Sequence, residues 1–206
     1  MEVSRTKLTV LDQITASDTV RRKIIDTASA LYVRKGFAAT SIQEISETSG
    51  VSLPVTYHYV KNKSDIMRMI MEDILKTFRE NLLRKIEEID DPEEKLAIAA
   101  VLYLKILDRH REKALLIYQK SSSLDKASKS SIMALEVDVS RVFADIINEG
   151  IGQGLFKAVD VDLMAYNIIM MAHMWVLKGW HFKNRMSLDR YIDLQLEIIM
   201  DALRKD

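Results

Sequence analysis

A chain of 206 residues with 48% hydrophobic and 29% charged residues has the makeup of a folded globular protein, in one large domain or one small and one medium domain. Cysteine is absent, which excludes disulfides and thiolate metal sites and is compatible with a reducing compartment. Zero net charge argues against a generic polyanion binder, yet residues 1–70 hold ten Lys/Arg against seven Asp/Glu, a net of +3, and the remainder carries −3.

Only two prolines and six glycines interrupt the chain, which favours long helices over many short strands. Residues 1–17 mix charge, Thr and Ser without periodicity and read as a flexible arm. A helix is expected to open at Asp18 or Thr19, to place Val20, Ile24, Ala28, Leu31 and Tyr32 on one face, and to stop at Gly36. Ser41 with Glu44 is a capping-box pattern for a second helix that ends at Gly50. Ser52 then caps a third, with Pro54 in the first turn, where a missing N–H costs little. Asn62 and Asp65 open a long fourth helix carrying Ile66, Ile70, Ile74, Phe78, Leu82 and Ile86 at a stride of four.

Asp91-Pro92-Glu93-Glu94 combines a cap, a proline and acids in the first turn, and starts a helix with Leu96, Ala99, Tyr103, Ile106 and Leu107. A shorter one covers roughly Lys113 to Gln119. Ser121 to Ser123 and Ser128 to Ser131 read as a loop or a loosely held helix start, followed by a helix from Ile132 to Asn148 that Gly150, Gly152 and Gly154 close. Asp160 or Asp162 caps a very apolar helix reaching Lys178. Its stretch from Leu163 to Leu177 contains Asn167 and His173 and is too short and polar to span a bilayer, so a buried helix is expected. Ser187 caps the last helix, with Tyr191, Leu194, Ile198 and Ala202 in a stripe. The N-terminus lacks the apolar core of a signal peptide, and a cytoplasmic protein with no membrane partner is expected. No alternating strand pattern occurs. The expected fold is all-α, about nine helices: an arm (1–17), a three-helix unit (18–64) and a helical body (65–206).

Two very short helices joined at Gly50 suit a helix-turn-helix, whose second helix enters the major groove while the first braces it across the backbone. Gly36-Phe37, Thr40-Ser41-Ile42, Ile45, Gly50-Val51-Ser52, Tyr57, Tyr59, Lys63 and Ile66 stand at the spacing of such a unit. On these residues the sequence resembles the TetR family of transcriptional regulators, and the all-helical remainder agrees with it. The resemblance implies that Thr40 and Lys63 contact phosphates and that Ser52 caps the third helix and touches the backbone. It places Leu53, Pro54 and Tyr57 at base edges, Val55 and Tyr59 nearer phosphates, and His58 within reach of backbone oxygen. Tyr57 and Tyr59 have packing of the small unit as the other reading. Leu53 stands where a polar or basic residue is usual, which favours contact with thymine methyls over hydrogen bonds. Thr56 replaces an aliphatic residue, Ser46 an alanine and Val60 a phenylalanine.

For the body the resemblance implies a homodimer on a palindromic double-stranded DNA operator, with Tyr166, Trp175, Tyr191, Leu194 and Ile198 as interface candidates or as intramolecular core. It also implies a small hydrophobic effector that tilts the fourth helix and releases the DNA. Phe78, Tyr103, Leu107, Tyr118, Phe143, Met170, His173 and Met174 are the pocket candidates, with ordinary core packing as the other reading. Asn148-Glu149-Gly150, Gly154-Leu155-Phe156, Trp175, Lys178-Gly179-Trp180 and Ser187-Leu188 resemble the subgroup tied to fatty-acid and acyl-CoA metabolism. A drug-type effector controlling efflux is the alternative. An enzyme is not expected, nor a cofactor or metal: His58, His110, His173 and His181 are scattered, and Gly150-x-Gly152-x-Gly154 ends a helix and follows no strand. A helical interaction protein would not need Thr40, Ser52, Tyr57 and Lys63 at these spacings.

Overall fold

The computed structural model describes the backbone of residues 2–87, 89–120 and 124–205 and the side chains of those from Asp18 onward. Among the described residues there are ten helices and no strand: α1 (Glu2–Lys35), α2 (Ile42–Ser49), α3 (Leu53–Tyr59), α4 (Lys63–Ile86), α5 (Pro92–Arg109), α6 (Arg111–Lys120), α7 (Lys126–Gly152), α8 (Val161–Leu177), α9 (Gly179–Phe182) and α10 (Leu188–Leu203).

The first helix does not wait for Asp18. Neither glycine nor proline lies between Glu2 and Lys35, so a cap signal in the interior has nothing to make it a start. The backbone of the expected arm therefore continues α1, and the arm's side chains lie outside the described residues. Gly36, at φ 88, ends the helix in the left-handed region that residues with a Cβ avoid.

Ser41 caps α2 by accepting from the Glu44 N–H at 3.1 Å, but the Glu44 carboxylate turns to Lys35 at 2.5 Å and leaves the box half made. Gly50, at φ 68, turns the chain from α2 into α3. The start of α4 carries the complete box: Asn62 Oδ1 accepts from Asp65 N at 3.1 Å, and Asp65 Oδ2 accepts from Asn62 N at 3.2 Å. In its stripe Ile66, Ile70, Ile74, Phe78 and Leu82 are all buried. One continuous buried cluster runs from Ile24 of α1 to Leu203 of α10, with α4 packed against α1, α5, α6 and α7. The small unit and the body thus share the helix that joins them.

Two expectations change in the body. Asp125 accepts from Ser128 N at 2.9 Å and from Ser128 Oγ at 3.1 Å, so α7 begins at Lys126 and the serines at 128, 130 and 131 are helical; Ser121 to Ser123 lie outside the described residues. At its other end α7 runs through Gly150 and Gly152 instead of closing there. Gly150 is required for a different reason: a Cβ on it would stand 2.2 Å from Cδ2 of Phe156, whose buried ring folds back over the helix end. The chain terminus returns to the same corner, where Lys157 N donates to Leu203 O at 2.8 Å and Phe156 bridges Arg204.

Candidate DNA-contacting face and effector cavity

The short α3 has one inward side. Thr56 is 0% exposed and Val60 1%, so the hydroxyl that replaces an aliphatic group must be satisfied locally, and it donates to Ser52 O at 3.1 Å. Ser46 does the same, donating to Val51 O at 2.5 Å. With those positions inward, Ser52, Pro54, Val55, Tyr57 and His58 are exposed. Val55 at 42% and Tyr57 at 51% are large apolar groups that the described residues leave uncovered, as a docking face requires. Ser52 occupies the cap position, but its hydroxyl makes no cap hydrogen bond, contrary to the expected role. Leu53 and Tyr59 are half-buried at the edges, and Tyr59 packs against the core.

Two expected phosphate contacts are used inside the unit. Thr40 is 1% exposed and its hydroxyl donates to Gly36 O at 3.0 Å, so it fastens the turn and offers no side-chain surface to a phosphate. Lys63 is half-buried. Its ammonium donates to Phe37 O at 2.7 Å and Ala38 O at 3.1 Å and lies 4.7 Å from the Phe37 ring centroid. It ties the start of α4 to the α1–α2 connection, where the two carbonyls compete for the donors a phosphate would use.

The body holds a cavity of about 390 Å³. Its wall consists of Met71 and Ile74 from α4, Leu107 from α5, Ala114, Ile117 and Tyr118 from α6, Leu124, then Lys129, Ile132, Met133 and Glu136 from α7, and His173 from α8. Of the pocket residues expected from sequence, Leu107, Tyr118 and His173 stand on this wall. Phe78, Tyr103 and Phe143 are instead a buried aromatic cluster, with ring centroids 5.2, 6.1 and 5.8 Å apart. Met170 is 47% exposed and Met174 half-buried, on a face of α8 shared with exposed Leu163 and Asn167; the methionines of the wall are Met71 and Met133. Lys129, Ile132, Met133 and Glu136 recur at helical spacing, a signal hidden in the sequence by the serine-rich segment in which the first of them lies.

Three rings meet at one side of the cavity. Tyr103 Oη lies 2.8 Å from His173 Nε2, and Tyr118 Oη bonds His173 Nδ1. Burial lowers the His173 pKa to about 4, so the imidazole is neutral near pH 7. Burial, with Tyr118 and Glu136 nearby, holds Tyr103 well above its usual value; burial and Glu136 raise Tyr118 to about 12. Burial also raises Glu136 above the usual carboxylate range.

The model for bacterial regulatory proteins of the tetR family matches residues 24–70, and that for the tetracyclin repressor-like C-terminal domain matches residues 89–203. The chain belongs to the TetR family. It is accordingly a DNA-binding transcriptional regulator and not an enzyme. It is similar to the HTH-type transcriptional regulator HbdR of Aromatoleum sp. (strain CIB), 29% identical over 181 residues that cover 88% of this chain and 79% of that one. Its fold is that of a TetR-family transcriptional regulator from Syntrophomonas wolfei (TM-score 0.76, 22% identity, 89% and 94% of the two chains). AibR, crystallised with isovaleryl coenzyme A and operator DNA, shares that fold (TM-score 0.69, 22% identity, 87% and 97% of the two chains).

Two of the interface candidates in this TetR chain are core residues. Trp175 and Tyr191 are each 2% exposed, with ring centroids 5.0 Å apart. The indole N–H of Trp175 donates to Asp108 Oδ1 at 2.8 Å, and the Tyr191 hydroxyl donates to Met171 O at 2.7 Å. Tyr166 and Leu194 are half-buried and Ile198 is 55% exposed, and exposed Leu163 and Met170 extend the apolar surface along α8. Among the described residues no helix is long and apolar enough to cross a membrane. One further link joins the cavity to the TetR N-terminal unit: α6 places Ala114, Ile117 and Tyr118 on the cavity wall, and its Lys113 pairs with Asp26 of α1 at 2.9 Å.

Proposed function

We propose that this regulator is a cytoplasmic repressor that binds a palindromic operator as a homodimer and is released when a small apolar effector of the fatty-acid or acyl-CoA type fills the cavity. The observation that carries the reading is the cavity's position. Its wall includes residues of α4 and α6, body helices that also pack against α1 of the DNA-binding unit. An occupant that moves either helix changes the separation of the two α3 helices in a dimer, and half-site spacing is set by that separation. Exposed Leu163, Met170 and Ile198, with Tyr166 and Leu194, support α8 and α10 as the dimer face. A cavity of 150 Å³ takes benzene, so 390 Å³ suits roughly 15 non-hydrogen atoms, enough for an acyl chain and its head but not for a whole coenzyme A. The nucleotide of an acyl-CoA would stay outside.

Glu136 supports a second reading, in which its carboxylate in the apolar wall attracts a lipophilic cation of the drug type. One experiment tests the proposal: fluorescence anisotropy on DNA from upstream of the protein's own gene, at several stated salt concentrations, with and without a panel of acyl-CoAs and fatty acids. A sequence-selective complex with two protomers per site, weakened by a member of the panel, is expected. Absence of any selective complex at intergenic sites near the gene ends the operator reading. A complex that no member of the panel disturbs ends the effector reading.

A further inference from the structure

We propose that Lys61, and not Lys63, is the lysine between α3 and α4 that meets the DNA phosphates and fixes the register of α3 on the duplex. The two lysines stand two residues apart and are used in opposite ways. Lys63 is half-buried, and its ammonium is engaged by Phe37 O and Ala38 O. Lys61 is exposed, and among the described residues its ammonium has neither an ion pair nor a hydrogen bond. A solvated lysine is ordinary on a protein surface, so exposure alone assigns nothing. The backbone around this one does. Val60 ends α3 in an extended conformation, φ −139 and ψ 133, and is 1% exposed. Successive side chains of extended chain point to opposite sides, so inward Val60 sends Lys61 outward. Tyr57 and His58 are exposed at the same end of α3, and Lys61 follows them on the outward side.

The position is held as well as aimed. Asp65 Oδ2 accepts from the main-chain N–H of Lys61 at 2.7 Å and from that of Asn62 at 3.2 Å. That carboxylate is spent on the main chain, and the charge of the Lys61 ammonium stays available for a phosphate. Other cations of the region are engaged elsewhere: Lys35 pairs with Glu44, and Arg21 and Arg68 pair with Glu72. Arg22, Lys23 and Arg34 are exposed but lie on α1. An ammonium is a point charge with three donors, suited to a phosphate and indifferent to the base beside it. Each phosphate it neutralises releases a counterion, so the contact is read in the salt dependence of binding.

Fluorescence anisotropy on the full-length protein tests this with two labelled duplexes of equal length, one from upstream of its own gene and one of scrambled sequence. Phosphate contacts are independent of sequence, so the scrambled duplex reads Lys61 whether or not the upstream fragment holds an operator. Lys61→Gln is expected to reduce the slope of log affinity against log salt by about one per protomer on both duplexes. Binding should weaken ~3–10-fold in a salt concentration of about 0.1 M, with the melting temperature unchanged. Lys61→Arg should restore the slope, and Lys63→Gln should lower the melting temperature and leave the slope alone. The assignment is overturned if a folded Lys61→Gln protein keeps the wild-type slope, or if the slope falls in Lys63→Gln instead. Wild type that binds neither duplex at low salt overturns it as well.

Discussion

Acid should weaken this fold through one residue more than any other. His173 has an ordinary pKa of ~6.5 in the unfolded chain and about 4 in the folded one, because burial disfavours its charged form. Between those values the unfolded state binds the proton that the folded state refuses, so stability is complete above pH 6.5 and falls as pH drops towards 4. The linkage relation gives a loss of roughly 2 kcal/mol at pH 5 and roughly 3 kcal/mol at pH 4, relative to pH 7.5. Burial and Lys113 also lower His110, which adds to the loss, whereas Glu136, raised by burial, acts with the opposite sign. The comparison must therefore be made against His173→Gln, which keeps a donor and an acceptor but does not titrate. Urea unfolding at fixed protein concentration, from pH 7.5 to 4, should show wild type losing about 2 kcal/mol more than the variant by pH 5. Equal pH slopes in the two proteins would refute the neutral, buried imidazole.

The Gly150–Phe156 contact makes a prediction about sign. Gly150→Ala should destabilise wild type by roughly 1–3 kcal/mol through overpacking, but stabilise the Phe156→Ala background by up to ~1 kcal/mol, because only the helical preference for alanine remains; the same sign in both backgrounds would exclude the clash. Lys63→Met should lower the melting temperature by roughly 2–6 °C through loss of the Phe37 and Ala38 bonds, while the salt slope of DNA binding stays unchanged. A slope smaller by about one would instead make Lys63 a phosphate contact. Tyr57→Ala, at a half-exposed position, should leave stability within ~0.5 kcal/mol and weaken operator binding roughly tenfold in an anisotropy titration.

Periodicity and punctuation made most of this fold readable in advance. The α4 stripe, the Asn62 and Asp91 caps and the Gly50 turn are local signals, and local hydrogen bonding enforces them. The site was read less well, for a physical reason. Position in a motif tells which residue sits near DNA but not where its donors go; Thr40 and Lys63 are close to the expected interface yet are engaged by carbonyls of the α1–α2 connection. The cavity posed the same difficulty in another form. Apolar residues on the inner face of a helix are alike in sequence whether they meet a neighbour or an empty space. Phe78 and Phe143 meet each other, whereas Met71 and Met133 border the space. Met170 shows the converse, a core-like residue on an outer face.

The return of the chain's end to Glu93 and Phe156 has a consequence for how the protein is made. Arg204 forks onto Glu93 with bonds of 2.7 to 3.2 Å across a separation of 111 residues. At ~5–20 residues per second, a ribosome needs roughly 6 to 22 seconds to deliver the second partner after the first. The interior that Leu203 seals, at 0% exposure, stays open to water and to other nascent chains for that interval. The partners of α1 within the small unit, by contrast, are synthesised by Ile70. Truncation by a premature stop inside α10 would therefore leave a chain with its DNA-contacting end complete and its body unsealed, a candidate for aggregation rather than for regulation.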